Sequence, residues 1–209
     1  MWTAALDEAV TASDSDAVGR IGFQAHVASE AGAAIAAWAH IARLDEPGAA
    51  WLRRAAVFSR TRREPRAEIP PRQRLLDELS EAEYGPDHAE VAGTLDNLGN
   101  AWRELGQPEK ARDLHERALR IFEREYGPDH AEVARTLTNL GTAWRDLGKP
   151  EKARDLYMRA LRILYAHFPN GHPHCDLVVH NLRRIDPDLI VLDDGRVVSR
   201  PGVASPTGS

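Results

Sequence analysis

One cysteine, Cys175, is all that 209 residues contain. A lone thiol excludes an internal disulfide framework and fits a reducing compartment. Long apolar runs are missing as well. None approaches the ~20 residues needed to cross a bilayer, and the longest, Ala31 to Ala42, is alanine-rich and broken by His40. The first residues lack a basic stretch followed by an apolar one, so no secretory signal is read. Surplus positive charge is absent, the formal net charge being −5, which gives no whole-chain field for nucleic acid or an anionic membrane. Catalytic signatures are absent too: no Gly-x-x-x-x-Gly-Lys phosphate loop, no Gly-x-Ser-x-Gly and no His-Glu-x-x-His. The expectation is a cytoplasmic, non-enzymatic chain with no cofactor and no resident metal.

What is present is a repeat. Tyr84-Gly85-Pro86-Asp87-His88-Ala89-Glu90-Val91-Ala92 returns unchanged 42 residues later as Tyr126-Gly127-Pro128-Asp129-His130-Ala131-Glu132-Val133-Ala134. Residues 84–125 and 126–167 agree without a gap at about three-quarters of positions. A fixed period of this size signals stacked copies of one supersecondary unit.

Each copy reads as two helices. Asp87 stands where an N-cap belongs with Glu90 three residues on, and Asp129 and Glu132 repeat the pattern, so a capping box is expected. Val91, Leu95, Leu98, Trp102 and Leu105 then form one apolar stripe at spacings of three and four. That stripe places both Trp102 and its counterpart Trp144 in the core. Gly106-Gln107-Pro108 ends the first helix and opens the second, where Ala111, Leu114, Ala118 and Ile121 share a face. The spacing predicts helices near 87–105, 108–125, 129–147 and 150–167. Gly99 with Ala118, and Gly141 with Ala160, are small residues that would let helix axes approach closely.

Leu98-Gly99, Trp102, Gly106, Ala111 and Ala118, and in the next copy Leu140-Gly141, Trp144, Gly148, Ala153, Tyr157 and Ala160, resemble the tetratricopeptide repeat family. The 42-residue period, with Gly-x-x-His between units and Leu-x-Asn-Leu in the first helix, is similar to its kinesin-light-chain subclass. Phe168, His172, Asn181 and Leu182 keep the register into a partial third copy. The resemblance implies an all-α fold, a right-handed superhelical array of antiparallel helix pairs, whose first helices line a concave face.

Four regions are read. Residues 1–63 carry looser matches at a 34-residue spacing and form a degenerate helical region. Residues 64–74, with Pro65, Pro70 and Pro71, read as a stiff extended linker. Residues 75–186 hold the array: an opening helix with Leu75, Leu76 and Leu79, two full repeats, and a closing helix. Residues 187–209 form a mostly disordered tail, although Leu189 to Val198 has the pattern of a small hairpin. That hairpin segment could also occupy the groove in cis until a ligand displaces it.

Asn97, Asn139 and Asn181 recur at 42-residue intervals. Residues 93, 97, 100 and 104 make one line on the first helix, offset from the apolar stripe. In the resembled subclass an asparagine at this place binds the backbone of a ligand peptide, and an amide can both donate and accept. The competing reading is that these asparagines bridge neighbouring helices. Asn100 and Thr142 differ between copies, as do Gly93 and Arg135, and Asp96 and Thr138, which suggests a face reading different chemistry along a ligand, or drift on a solvated surface. Arg103 and Arg145 recur beside acidic residues. They are either a solvent-facing mixed-charge stripe or contacts to acidic ligand groups. Together Asn97, Asn100, Arg103, Asn139, Thr142, Arg145 and Asn181 are the candidate groove.

His88, His130 and His172 form a second ladder in the inter-repeat turns, read as structural. The cluster His167, His172, His174, Cys175 and His180 offers metal-ligand types without paired zinc spacing. The arginines from Arg53 to Arg74 read as a solvated linker or a contact with another domain, rather than a nucleic-acid patch. The expected function is a scaffold holding a protein or peptide partner in the groove, with self-association a further option. The alternative is a regulatory module whose array controls an effector domain.

Overall fold

The computed structural model describes residues 18, 36–37, 52–53, 65–79, 85–169, 171–192 and 197–199. The degenerate region expected over 1–63, and the disorder expected at the end of the chain, therefore lie almost wholly outside the described residues. The chain divides into two compact units, Met1–Leu114 and His115–Ser209. Among the described residues, no helix is long and apolar enough to cross a membrane.

The first unit contains α1 (Pro65–Glu78) and α2 (Ala89–Glu104), and α3 (Pro108–Tyr126) begins in it. Residues 65–74, expected as an extended linker, are helical instead. Pro65 occupies the first turn, where a missing N–H removes no helical bond. Pro70 and Pro71 lie inside α1 and do cost ladder bonds. Burial offsets that loss: Arg72, Leu75, Leu76 and Leu79 are all at most 6% exposed, and α1 packs along α2. Tertiary contact overrides a local preference here.

The second unit holds the rest of α3, then α4 (Ala131–Asp146), α5 (Pro150–His167), α6 (Pro173–Ile185), β1 (Leu189–Val191) and β2 (Val197–Ser199). The four expected helices are thus present within about two residues of their expected ends, and α4 repeats α2 with a 42-residue offset. α4 packs against α5, and α5 against α6. Val133, Leu137 and Leu140 of α4 and Ala153, Tyr157 and Leu161 of α5 are buried, as the period of 3.6 requires. The two strands pair antiparallel, Ile190 opposite Val198, which is the hairpin expected from the sequence. Leu189 is buried and β1 contacts α6, so the described part of the hairpin is seated on the last helix.

The helix ends use a device other than the expected capping box. His88 and His130, not Asp87 and Asp129, are the N-caps of α2 and α4. Each has extended backbone, and its Nδ1 accepts the amide of Glu90 or Glu132 at 3.2 Å. His172 does the same for α6, accepting from the His174 amide at 3.1 Å. The imidazole satisfies an orphan N–H in the role usually taken by a short oxygen side chain. At the other end of α2, Gly106 (φ 71°) donates to the Arg103 carbonyl and Gln107 to that of Trp102. Gly148 and Lys149 repeat this pair on Arg145 and Trp144. This is the Schellman pattern, which needs a left-handed residue and therefore glycine.

Gly141 has a different reason to be glycine. A Cβ there would sit 2.7 Å from Cε1 and 2.9 Å from Cδ1 of Tyr157, whose side chain is fully buried. The close approach expected between small residues is thus glycine against an aromatic ring. In the third copy the same register falls on Arg183, which is exposed. A second-helix ring could not lie against it, and the chain turns into the hairpin.

Trp102 and Trp144, expected in the core, are only half-buried. Lys110 and Lys152 each hold Nζ 4.0 Å from the ring centroid, a cation–π contact between the end of one helix and the start of the next.

Substitutions at three sites test these accounts. Replacing His130 by alanine is expected to lower stability by about 1 kcal/mol, and by asparagine much less, because Asn restores a cap acceptor; urea unfolding measures both. Gly141→Ala is expected to destabilise by about 1 kcal/mol net, overpacking of ~1–3 outweighing a propensity gain of ~1. Gly93→Ala, whose Cβ would meet nothing within 4 Å, is expected to stabilise by up to ~1 kcal/mol in the same assay.

Candidate functional site

The candidate residues sit on three first helices, placed there by the same stripe that buries their neighbours. On α2, Val91, Leu95 and Leu98 are buried, whereas Asn97 and Asn100 on the offset line, and Arg103, are half-buried. Nδ2 of Asn97 donates to the Gly93 carbonyl at 2.8 Å. On α4, Asn139, Thr142 and Arg145 occupy the same places and are also half-buried. The Thr142 hydroxyl lies 3.0 Å from the Thr138 carbonyl and 3.0 Å from the Tyr157 hydroxyl. With one hydrogen to give, Thr142 donates to the carbonyl and accepts from Tyr157.

The structure brings two candidates together at the end of the ladder. Nη1 of Arg145 donates to Oδ1 of Asn181 at 3.3 Å, joining α4 to α6. The same guanidinium is held by Asp146, with Nη2 2.9 Å from Oδ1. Asn181 is 7% exposed. At this rung the amide oxygen bridges helices, which is the second of the two readings of the asparagine ladder. Asn97 and Asn139 are more open than Asn181.

A cleft of about 250 Å³ opens beside Asn97, within the first unit. α2 supplies Glu90, Gly93, Thr94 and Asn97; α1 supplies Arg72 and Leu75; Arg53 closes the side. Nη2 of Arg53 stands 3.7 Å from Oε2 of Glu90, both side chains being well exposed, while Arg72 is 5% exposed. The arginines of this stretch read from sequence as a solvated linker or a contact with another domain, and Arg72, being buried, is not solvated. The signal that could have found the cleft is the difference between copies. Where the first copy has Gly93, the second has Arg135, whose Nη2 binds Oε2 of Glu132 at 2.6 Å. In the first copy the glutamate is met from outside the repeat by Arg53.

The histidine cluster holds together only in part, the His172 and His174 rings lying 5.1 Å apart edge to face. His172 is a helix cap stacked 4.4 Å from Phe168, and His167 Nε2 lies 2.6 Å from the Asp129 carbonyl. Cys175 is 2% exposed. Burial pushes its thiol up from the ordinary range, against the lowering effect of the His172 backbone, which disfavours the reactive thiolate. Among the described residues, no three His, Cys, Asp or Glu side chains are grouped to hold a metal.

Against known proteins, the family model of the tetratricopeptide repeat matches residues 77–123 and again 90–166. Among solved structures, the chain is similar to BtubC (BKLC) from P. vanneervenii, with 22% identity over 77% of this chain and 68% of that one, at a TM-score of 0.57. It is similar to the apo form of RapI at 16% identity and a TM-score of 0.64, covering 83% of this chain but 63% of RapI. MamA shows 17% identity and a TM-score of 0.54 over 82% of this chain and 84% of its own. At these identities the likeness is one of fold. No curated protein matches the chain. Helices α2 to α5, with their shared caps, glycines and 42-residue offset, coincide with the family match, and residues 77–166 are tetratricopeptide repeats.

Proposed function

We propose that the chain is a protein–protein interaction scaffold that holds a segment of a partner along the first helices of its repeats. Asn97 and Asn139 bond the backbone of that segment. Asn100, Arg103, Thr142 and Arg145 flank it, and Asn181 fixes Arg145 from the last helix. The observation that carries this reading is where the copies differ. Within the first helix, the differences are Gly93/Arg135, Asp96/Thr138, Asn100/Thr142 and Glu104/Asp146. Their spacing of three or four puts them all on one face, the face that carries the unchanging asparagines. Asp96 and Thr138 are buried, whereas Gly93, Arg135, Asn100 and Thr142 are half-buried and open to a ligand. An invariant amide between variable neighbours suits a ligand whose backbone repeats and whose side chains do not.

Peptides selected from a random display library on the immobilised chain provide the test. Asn97→Ala with Asn139→Ala is expected to weaken the selected peptide at least tenfold with the melting temperature nearly unchanged. Two lost bonds of ~0.5–1.5 kcal/mol each bracket the 1.4 or so that tenfold requires. Retained affinity with a lowered melting temperature, read by calorimetry, assigns the ladder to stitching the stack together instead.

A further inference from the structure

Helix α6 leaves open a stripe that both full repeats cover. On α4 the stripe is Ala134, Thr138 and Gly141, all buried, with the Tyr157 ring over the last of them. On α2 it is Ala92, Asp96 and Gly99, buried as well. The same register on α6 reads Asp176, His180 and Arg183, and all three are exposed. Beside them Leu177 is 50% exposed, and Arg184 is exposed too. Among the described residues, Asp176, Arg183 and Arg184 form no ion pair. The hairpin buries Leu189 yet leaves this face to solvent.

The charges on the face are ordered, with the acid before His180 and the bases after it. We propose that this face is a homodimer interface, covered by α6 of a second copy of the chain lying antiparallel across a two-fold axis at His180. At 3.6 residues per turn, a residue four before His180 and a residue three after it lean to the same side of the helix. The two-fold therefore sets Asp176 against Arg183 of the second copy, about 1.5 Å apart in height. On the other side of the seam Leu177 meets Arg184 of the second copy, whose methylenes cover it while the guanidinium stays in water. An isologous contact repeats every pair, so one acid and one base per chain make two complementary pairs. A parallel pairing sets acid against acid and base against base, and the charge order disfavours it. One short helix buries little surface, which places the dimer in the weak, exchanging class. The proposal does not depend on the groove reading.

Sedimentation equilibrium of the full chain, at pH 8 and low ionic strength, tests it. A monomer–dimer equilibrium is expected. Asp176→Arg puts like charges at both pairs and is expected to weaken the dimer at least tenfold, about 1.4 kcal/mol. Arg183→Asp does the same with the opposite sign. Mixed one to one, the two variant chains again set base against acid at both pairs. A heterodimer within about threefold of the wild-type affinity is expected. Leu177→Ala keeps every charge and is expected to weaken the dimer about threefold through lost apolar contact. All three positions are exposed, so each variant is expected to melt near the wild type in dilute solution, and recovery in the mixture excludes unfolding as the cause of the loss. A face that serves only to keep the helix wetted predicts a monomer throughout. A wild-type chain still monomeric at about 1 mM, single charge variants that dimerise as well as the wild type, or a mixture that fails to recover, overturns the proposal.

Discussion

The ring of Tyr157 lies against α4 at Gly141, a point where no side chain fits, and much of the second unit follows from that contact. The ring fills the space a Cβ would need at Gly141, so α4 and α5 meet along their buried faces with the hydroxyl carried through to the far side. There it reaches Thr142, a residue of the candidate binding face. A packing residue thereby orients a surface hydroxyl. Close-packed interiors transmit small displacements rather than absorbing them, so the position of Thr142 is set from inside the helix pair. The first copy has a buried histidine, His115, in the place of Tyr157 and an asparagine, Asn100, in the place of Thr142. Core and face therefore change together between the two copies.

The ends of the first helices show how few residues enforce the repeat. An imidazole closes the start and a left-handed glycine closes the end, in both full copies. The lysine that covers each tryptophan comes from the first turn of the following helix. It shields the half-buried ring without requiring the ring to enter the core. These are short-range devices, and each is confined to one 42-residue unit. Stability in such arrays is nearly a sum of unit and neighbour contributions, and local devices of this kind are what make units nearly independent.

Helix positions, the hairpin and the small residues at the helix interface were legible in the sequence because each leaves a periodic or positional trace. Gly106, Gly148 and the apolar stripe of Val91, Leu95 and Leu98 speak for themselves. What was not legible depended on contacts between elements. Pro70 and Pro71 argue locally against a helix, and only the burial of Leu75, Leu76 and Leu79 against α2 reverses that. Asp87 and His88 are both plausible caps in one dimension, and backbone geometry chooses the histidine. Trp102 lies on the stripe, yet its size carries the ring beyond the buried zone to a lysine. Of the candidate face, the asparagines were visible as a ladder, but the bond from Arg145 to Asn181 joins residues 36 apart in sequence. Arg53 and Arg72 were invisible as wall residues because they lie outside the repeat altogether.

Arg183 stands in the register of Gly99 and Gly141, an exposed charged side chain where the second copy has a glycine covered by a ring. Up to Leu182 the third copy has the cap, the buried Val178 and the ladder asparagine of its predecessors. What it lacks is the bare backbone on which a second helix could lie. A second helix packed on α6 as α5 is on α4 would therefore meet a long charged side chain where Tyr157 meets bare backbone at Gly141.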